Sequence, residues 1–363
     1  MRKSWVIAAL FSLSIFQTSC DDSNNEVKVD FERSKMLENY GSNIILPATQ
    51  QFSETANALN SAVQAFVDTP DNTTLTAAQD ALTATYEAWA EVNPYQFGPV
   101  NESTFLRNIN SFPTRITALN DTIATGSWDL TYIYNNEIKG LPAIEYLLFN
   151  EQALDSFTAD ANAENRKQFL ADVTQEVSTI ASSVSTAWED GYATDFATKT
   201  GNDPSSAISM IVNEMNKAYE RSKNNRLGYP MGKNALSGEV SPKSLESYYS
   251  AHSLELLKAN VTTIENIFLG KGSTDGEGLA DYLTAMYEAG AIKEDLTSKI
   301  NNQIGSIKSG LNNLQGPLSN LIENKDNSLE QVYQDMSDLV IMIKTEMPSA
   351  LSVSITYTDN DGD

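Results

Sequence analysis

The sequence runs to 363 residues with a formal net charge of −24, and it holds one histidine and one cysteine. A surface this acidic repels phosphate backbones and anionic lipid head groups, which argues against nucleic-acid binding. A single cysteine excludes an internal disulfide and a single histidine excludes any two-histidine metal motif, so stability must come from packing, for which the length is ample.

The chain opens on a positively charged Met1–Ser4 followed by an apolar run, Trp5–Phe16, too short for a permanent membrane span but suited to the core of a signal peptide. Small residues then precede Cys20, the arrangement a lipoprotein signal peptidase reads, although Gln17 stands where an aliphatic residue is usual. The expectation is a cleaved leader over 1–19, an acylated Cys20 and an acidic tether over 20–30, anchoring the protein to a membrane of the bacterial cell envelope on its periplasmic or outer surface side. Ordinary secretion with an incidental cysteine is the alternative.

From there the apolar residues recur with helical spacing. Phe52, Ala56, Leu59, Val63 and Phe66 step by four and three, and the pattern returns at Val173–Val184, Leu254–Phe268, Ile300–Leu314 and Leu329–Ile343. The spacing predicts helices at about 34–68, 73–92, 160–190, 204–224, 243–269, 278–290, 292–323 and 328–346, with Pro47 and Pro317 kinking or breaking their segments. Asp203-Pro204 and Ser241-Pro242 read as N-caps followed by proline, Ser328–Gln331 as a capping box, and Gly126, Gly201 and Gly270 as helix ends. The fold class expected is all-α, two helical-bundle domains over 31–155 and 156–363 with a functional site near their interface, the division leaving room for helices to exchange across it.

Two stretches break the regularity, and each mixes glycine, proline, aromatics and a few polar groups, as either a ligand-lining loop or a packed connection would. One runs from Trp89 to Phe149 through Asn93-Pro94-Tyr95-Gln96-Phe97-Gly98-Pro99, Phe112-Pro113 and Lys139-Gly140-Leu141-Pro142; the other is Leu227–Lys233 leading into Glu246–Ser250.

The segment Gly140–Phe149, the Tyr95–Pro99 turn, the loop Tyr229-Pro230-Met231-Gly232-Lys233, Glu246-Ser247 and the order of the helices together resemble the imelysin-like family, also classed as peptidase family M75. The resemblance spans nearly the whole chain after the leader. It implies an all-α fold of two bundles, an envelope location and a part in iron acquisition, with Tyr95, Gly98, Pro99, Gly140, Pro142, Glu145, Lys233, Glu246 and Ser247 as the candidate ligand-binding residues. The family's motif is Gly-x-His-x-x-Glu. Gly140 and Glu145 match it, and Pro142 stands in the histidine position. Proline offers no donor atom, whereas a catalytic zinc takes about three protein ligands, usually with imidazole among them. No catalytic zinc is therefore expected, and Glu145 is left to hold a hard cation, to accept bonds from a ligand, or to serve as a buried, hydrogen-bonded carboxylate.

Other constellations are weaker. His252 and Glu255 share a helical face, but Ser250 stands where the motif glycine would be and Leu254 begins an aliphatic stripe. Met210, Met215, Met336 and Met342 sit in periodic runs and read as core. Asp359–Asp363 resembles the opening of a calcium loop with no twelfth-position glutamate to follow. The leading expectation is a non-enzymatic, ligand-binding or accessory lipoprotein for iron or haem; the alternatives are a metal-dependent peptidase of the M75 type, or a structural lipoprotein partnering outer-membrane uptake machinery.

Overall fold

The computed structural model describes residues 27–99, 105–233 and 237–357. The leader, Cys20 and the acidic segment at 359–363 lie outside the described residues. Helix is the regular structure throughout the described residues, with one isolated bridge between Lys271 and Asp275.

In chain order, α1 (Arg33–Glu38), a π-type segment (Asn39–Ile45) and α2 (Leu46–Asp68) follow one another without a break, so the expected interruption at Pro47 is a change of pitch and not an end. The Asp71 carboxylate accepts from the Thr73 and Thr74 N–H groups at 2.8 and 2.9 Å and starts α3 (Asn72–Val92). There follow α4 (Leu106–Ile109), α5 (Ile116–Thr125), a 3-10 turn (Ile133–Ile138), α6 (Gly140–Phe149), α7 (Ala153–Thr158) and α8 (Ala163–Ala187). A turn kinked at Gly191 leads into α9 (Ala193–Thr198) and α10 (Ala207–Lys223). The remainder is α11 (Ser253–Leu269), α12 (Leu279–Glu288), α13 (Leu296–Asn313), α14 (Leu318–Glu323), α15 (Asn327–Ile341) and α16 (Met347–Ala350).

The stripes are the core. Every residue of the Phe52–Phe66, Leu254–Phe268, Ile300–Leu314 and Leu329–Ile343 series is buried, each large side chain contributing about 1.5–3 kcal/mol of transfer free energy. In the first half α2 packs on α3 and α8, and α6 packs on α3 and α8, closing a ring of four helices. In the second, α10, α11, α13 and α15 close a similar ring, and α3 packs against α11 to join the two. Deep in that junction the Asn93 side-chain amide donates to Asn260 Oδ1 at 3.1 Å. The buried apolar residues form one cluster that runs through both rings. Helix α8 lies beyond residue 155 yet packs with α2 and α6, while the α1 end of the chain is pinned to the other half by Asn39, which donates to the Gly270 and Glu277 carbonyls at 2.7 and 2.9 Å.

Several helix boundaries differ from expectation. The helix expected from 243 begins only at Ser253, because Ser247 and Ala251 both take a left-handed backbone (φ +56°) and the Ser247 carbonyl accepts from the His252 N–H and the Ser253 hydroxyl. Helix α10 begins at Ala207, since the Asp203 carboxylate holds the Ser205 N–H in a turn that absorbs Pro204. Asp326, not Ser328, caps α15.

Candidate ligand-binding site

Gly140 starts α6 with φ +74°, and a Cβ there would lie 2.4 Å from the Ile109 carbonyl oxygen. Only glycine fits this close approach at a positive φ. Pro142 occupies the first turn of α6, where a missing N–H costs no helical bond, and one turn later Glu145 is buried to 3% exposure. Its Oε1 accepts from the Ser250 N–H at 2.8 Å and the Ser250 hydroxyl at 2.9 Å. Burial pushes the Glu145 carboxyl up to about 7; the bonds from Ser250 and the Tyr249 N–H oppose that shift, and the nearby Glu246 adds to it.

Glu246 lies behind this carboxyl, also buried. It is ion-paired with Arg226 and accepts from the Asn110 side-chain amide at 2.6 Å, so both its oxygens are taken. The Arg226 guanidinium in turn lies 5.7 Å from the centre of the Phe112 ring. Ser247 and Ser250 are joined hydroxyl to hydroxyl at 2.6 Å. The segment Glu246–Ala251 is therefore held rigidly across from α6.

Between them is a cavity of about 480 Å³. Pro142 and Glu145 form one wall; Phe112, Pro113, Asn225, Tyr229, Lys243, Ser244, Ser247, Tyr248 and Tyr249 contribute to the others. The structure thus brings Pro142, Glu145 and Ser247 together on one surface, with Glu246 and Gly140 positioning them from behind. It does not bring the remaining candidates there. Tyr95 is buried beside Phe97, which stacks on Phe196 at 5.5 Å; Gly98 fits against the Tyr192 ring with φ +76°, and Pro99 is exposed. Lys233 is closed on Glu330 at 2.7 Å and lines a separate cavity of about 220 Å³. The shared cleft expected for these residues is corrected on this point: the Tyr95–Pro99 turn packs on the Trp188–Phe196 aromatics, and a carboxylate far along the chain draws Lys233 away. His252 stands at the N-terminus of α11, its Nε2 3.4 Å from Glu87.

Asn110, Arg226 and Lys243 were not among the candidates. The signal available for Arg226 was its place in the polar run Asn224-Asn225-Arg226 just before the Gly-Tyr-Pro loop; Lys243 carried none beyond its neighbourhood.

The family model for imelysin, a peptidase M75 family, matches residues 45–340. The chain belongs to the imelysin family. Among solved structures, a candidate iron-regulated protein A precursor from Parabacteroides distasonis is similar at a TM-score of 0.71 and 18% identity, covering 88% of this chain and 94% of that one. An imelysin-like protein from Psychrobacter arcticum is similar at 0.70 and 18% identity, covering 91% and 99%. No curated protein matches. These likenesses show the fold.

A metal ion held by several of the chain's own side chains does not fit this cavity. Glu145 is the one carboxylate on its wall, one oxygen of that carboxylate is committed to Ser250, and no histidine or cysteine lines it. Among the described residues no three histidines, cysteines or carboxylates lie close enough to form a metal cluster.

Proposed function

We propose that this imelysin-family chain is a non-hydrolytic ligand-binding protein of the bacterial envelope, lipid-anchored through Cys20, that serves iron acquisition by holding an iron carrier or haem in the Glu145 cavity. The observation that carries the reading is the buried Glu145 carboxyl on the wall of a polar, concave site whose motif histidine is replaced by Pro142. A site with one carboxylate, several hydroxyls and aromatic faces suits a carrier that brings its own ligands to iron, and suits neither a bare ion nor an activated water. The iron association is supported by the family and by the name of the Parabacteroides neighbour. An accessory partner of outer-membrane uptake machinery with a filled, apolar junction is the weaker reading, because an open cavity carrying a buried carboxyl, serine hydroxyls and Lys243 speaks for a ligand.

Calorimetric titration of the purified chain with ferrous and ferric iron, zinc, calcium and haem, repeated on Glu145→Ala, tests the reading. Saturable haem or ferric-complex binding that weakens in the variant supports it. Turnover of a casein substrate that zinc restores after chelation would contradict it.

A further inference from the structure

A second cavity, of about 510 Å³, adjoins the first and is lined by Phe149, Asn150, the exposed Glu151, Gln152, Pro317 and Ser319 among others, with Glu151 in no ion pair to Lys243. Lys243, Tyr248 and Tyr249 line both cavities. The tyrosine pair is locked: Tyr249 meets Tyr248 edge to face at 5.2 Å and Tyr146 at the same distance, and Tyr146 accepts from the Asn120 amide at 3.1 Å. The backbone that carries it is held between two residues with φ +56°, Ser247 and Ala251, the kind of strained conformation that clusters at ligand clamps. Lys243 is exposed, and among the described residues no carboxylate pairs with it, whereas Lys233 in the adjoining loop is closed on Glu330. In a chain with twice as many acids as bases, an unpaired ammonium at the junction of two cavities, beside two aromatic rings, is a binding feature for an anion that also carries a ring.

We infer that the ligand is a flat, aromatic anion that spans both cavities, its ring against Tyr248 and Tyr249 and its anionic group on Lys243. This rests on the ligand-binding reading above and specifies what the ligand must look like. Haem, with its propionates, and a ferric catecholate share this chemistry.

The test titrates the whole chain with haemin, with the ferric complex of 2,3-dihydroxybenzoate and with free 2,3-dihydroxybenzoate, for the parent and for Lys243→Gln, Tyr249→Leu and the control Lys233→Gln. Lys243 is exposed, so its variant should melt like the parent. Expected is a loss of about tenfold in affinity for at least one probe in Lys243→Gln, with a flatter salt dependence, a similar loss in Tyr249→Leu, and none in Lys233→Gln. Which probe binds identifies the source, macrocycle or catecholate. Affinity that falls in Glu145→Ala but not in Lys243→Gln or Tyr249→Leu would overturn the spanning ligand while leaving ligand binding standing; no binding of any probe overturns both.

Discussion

Glu145 is the residue on which the site turns. Its carboxyl is raised from an ordinary value of 4.5 to about 7 by burial, so the native state holds this proton more tightly than the unfolded chain does. Stability from that difference is fully present below about 4.5 and is lost as pH rises through about 7, a swing on the order of 3 kcal/mol. Glu145→Gln keeps an acceptor for the Ser250 N–H and removes the charge. It should flatten the denaturant-midpoint profile across that window and stabilise the protein at pH 8; a profile identical to the parent's would show that Glu145 does not titrate there. Pro142 offers a second check at this scale. Pro142→His restores the family's donor next to Glu145, and should give zinc or ferrous iron a calorimetrically measurable affinity that the parent lacks; an unchanged titration would mean the wall cannot present an imidazole to the cavity.

At the scale of elements, the start of α6 is fixed by contact and not by propensity. Gly140→Ala forces a Cβ against the Ile109 carbonyl at a left-handed φ, and a loss of about 2–3 kcal/mol is expected, read as a lower melting temperature than the parent's. A melting point within error of the parent would contradict the geometry. The helices themselves were legible in the sequence because each buried stripe, such as Phe52 to Phe66, carries the helical period in its own residues. What governs Ser253 as the start of α11 was not legible, since the left-handed Ser247 and Ala251 carry no helical period, and the turn they form is held both by the local bonds of the Ser247 carbonyl and by Ser250 donating to Glu145, 105 positions away. Which of the candidate residues share the cavity is likewise set by contacts distant in sequence. The motif pair Gly140 and Glu145 could be read locally, but the exclusion of Lys233 depends on Glu330, that of Gly98 depends on Tyr192, and the inclusion of Lys243 depends on how the turn before α11 folds back.

For the whole molecule, the two rings of four helices share one apolar core and are tied by the buried Asn93–Asn260 bond and by Asn39 reaching across to the α11–α12 corner. Scanning calorimetry should therefore show a single unfolding transition whose calorimetric and van't Hoff enthalpies agree. Two resolved transitions would show that the rings unfold independently. The cavity is lined by residues of α6 and of the Asn225–Tyr229 turn after α10, so a ligand filling it should raise that single transition as one unit.

The most direct test of the central claim is anomalous diffraction at the iron edge from crystals grown with haemin or a ferric catecholate. One iron peak is expected, in the cavity bounded by Glu145, Lys243 and Tyr249. A peak beside Lys233 and Glu330, or at any site away from Glu145, would contradict it.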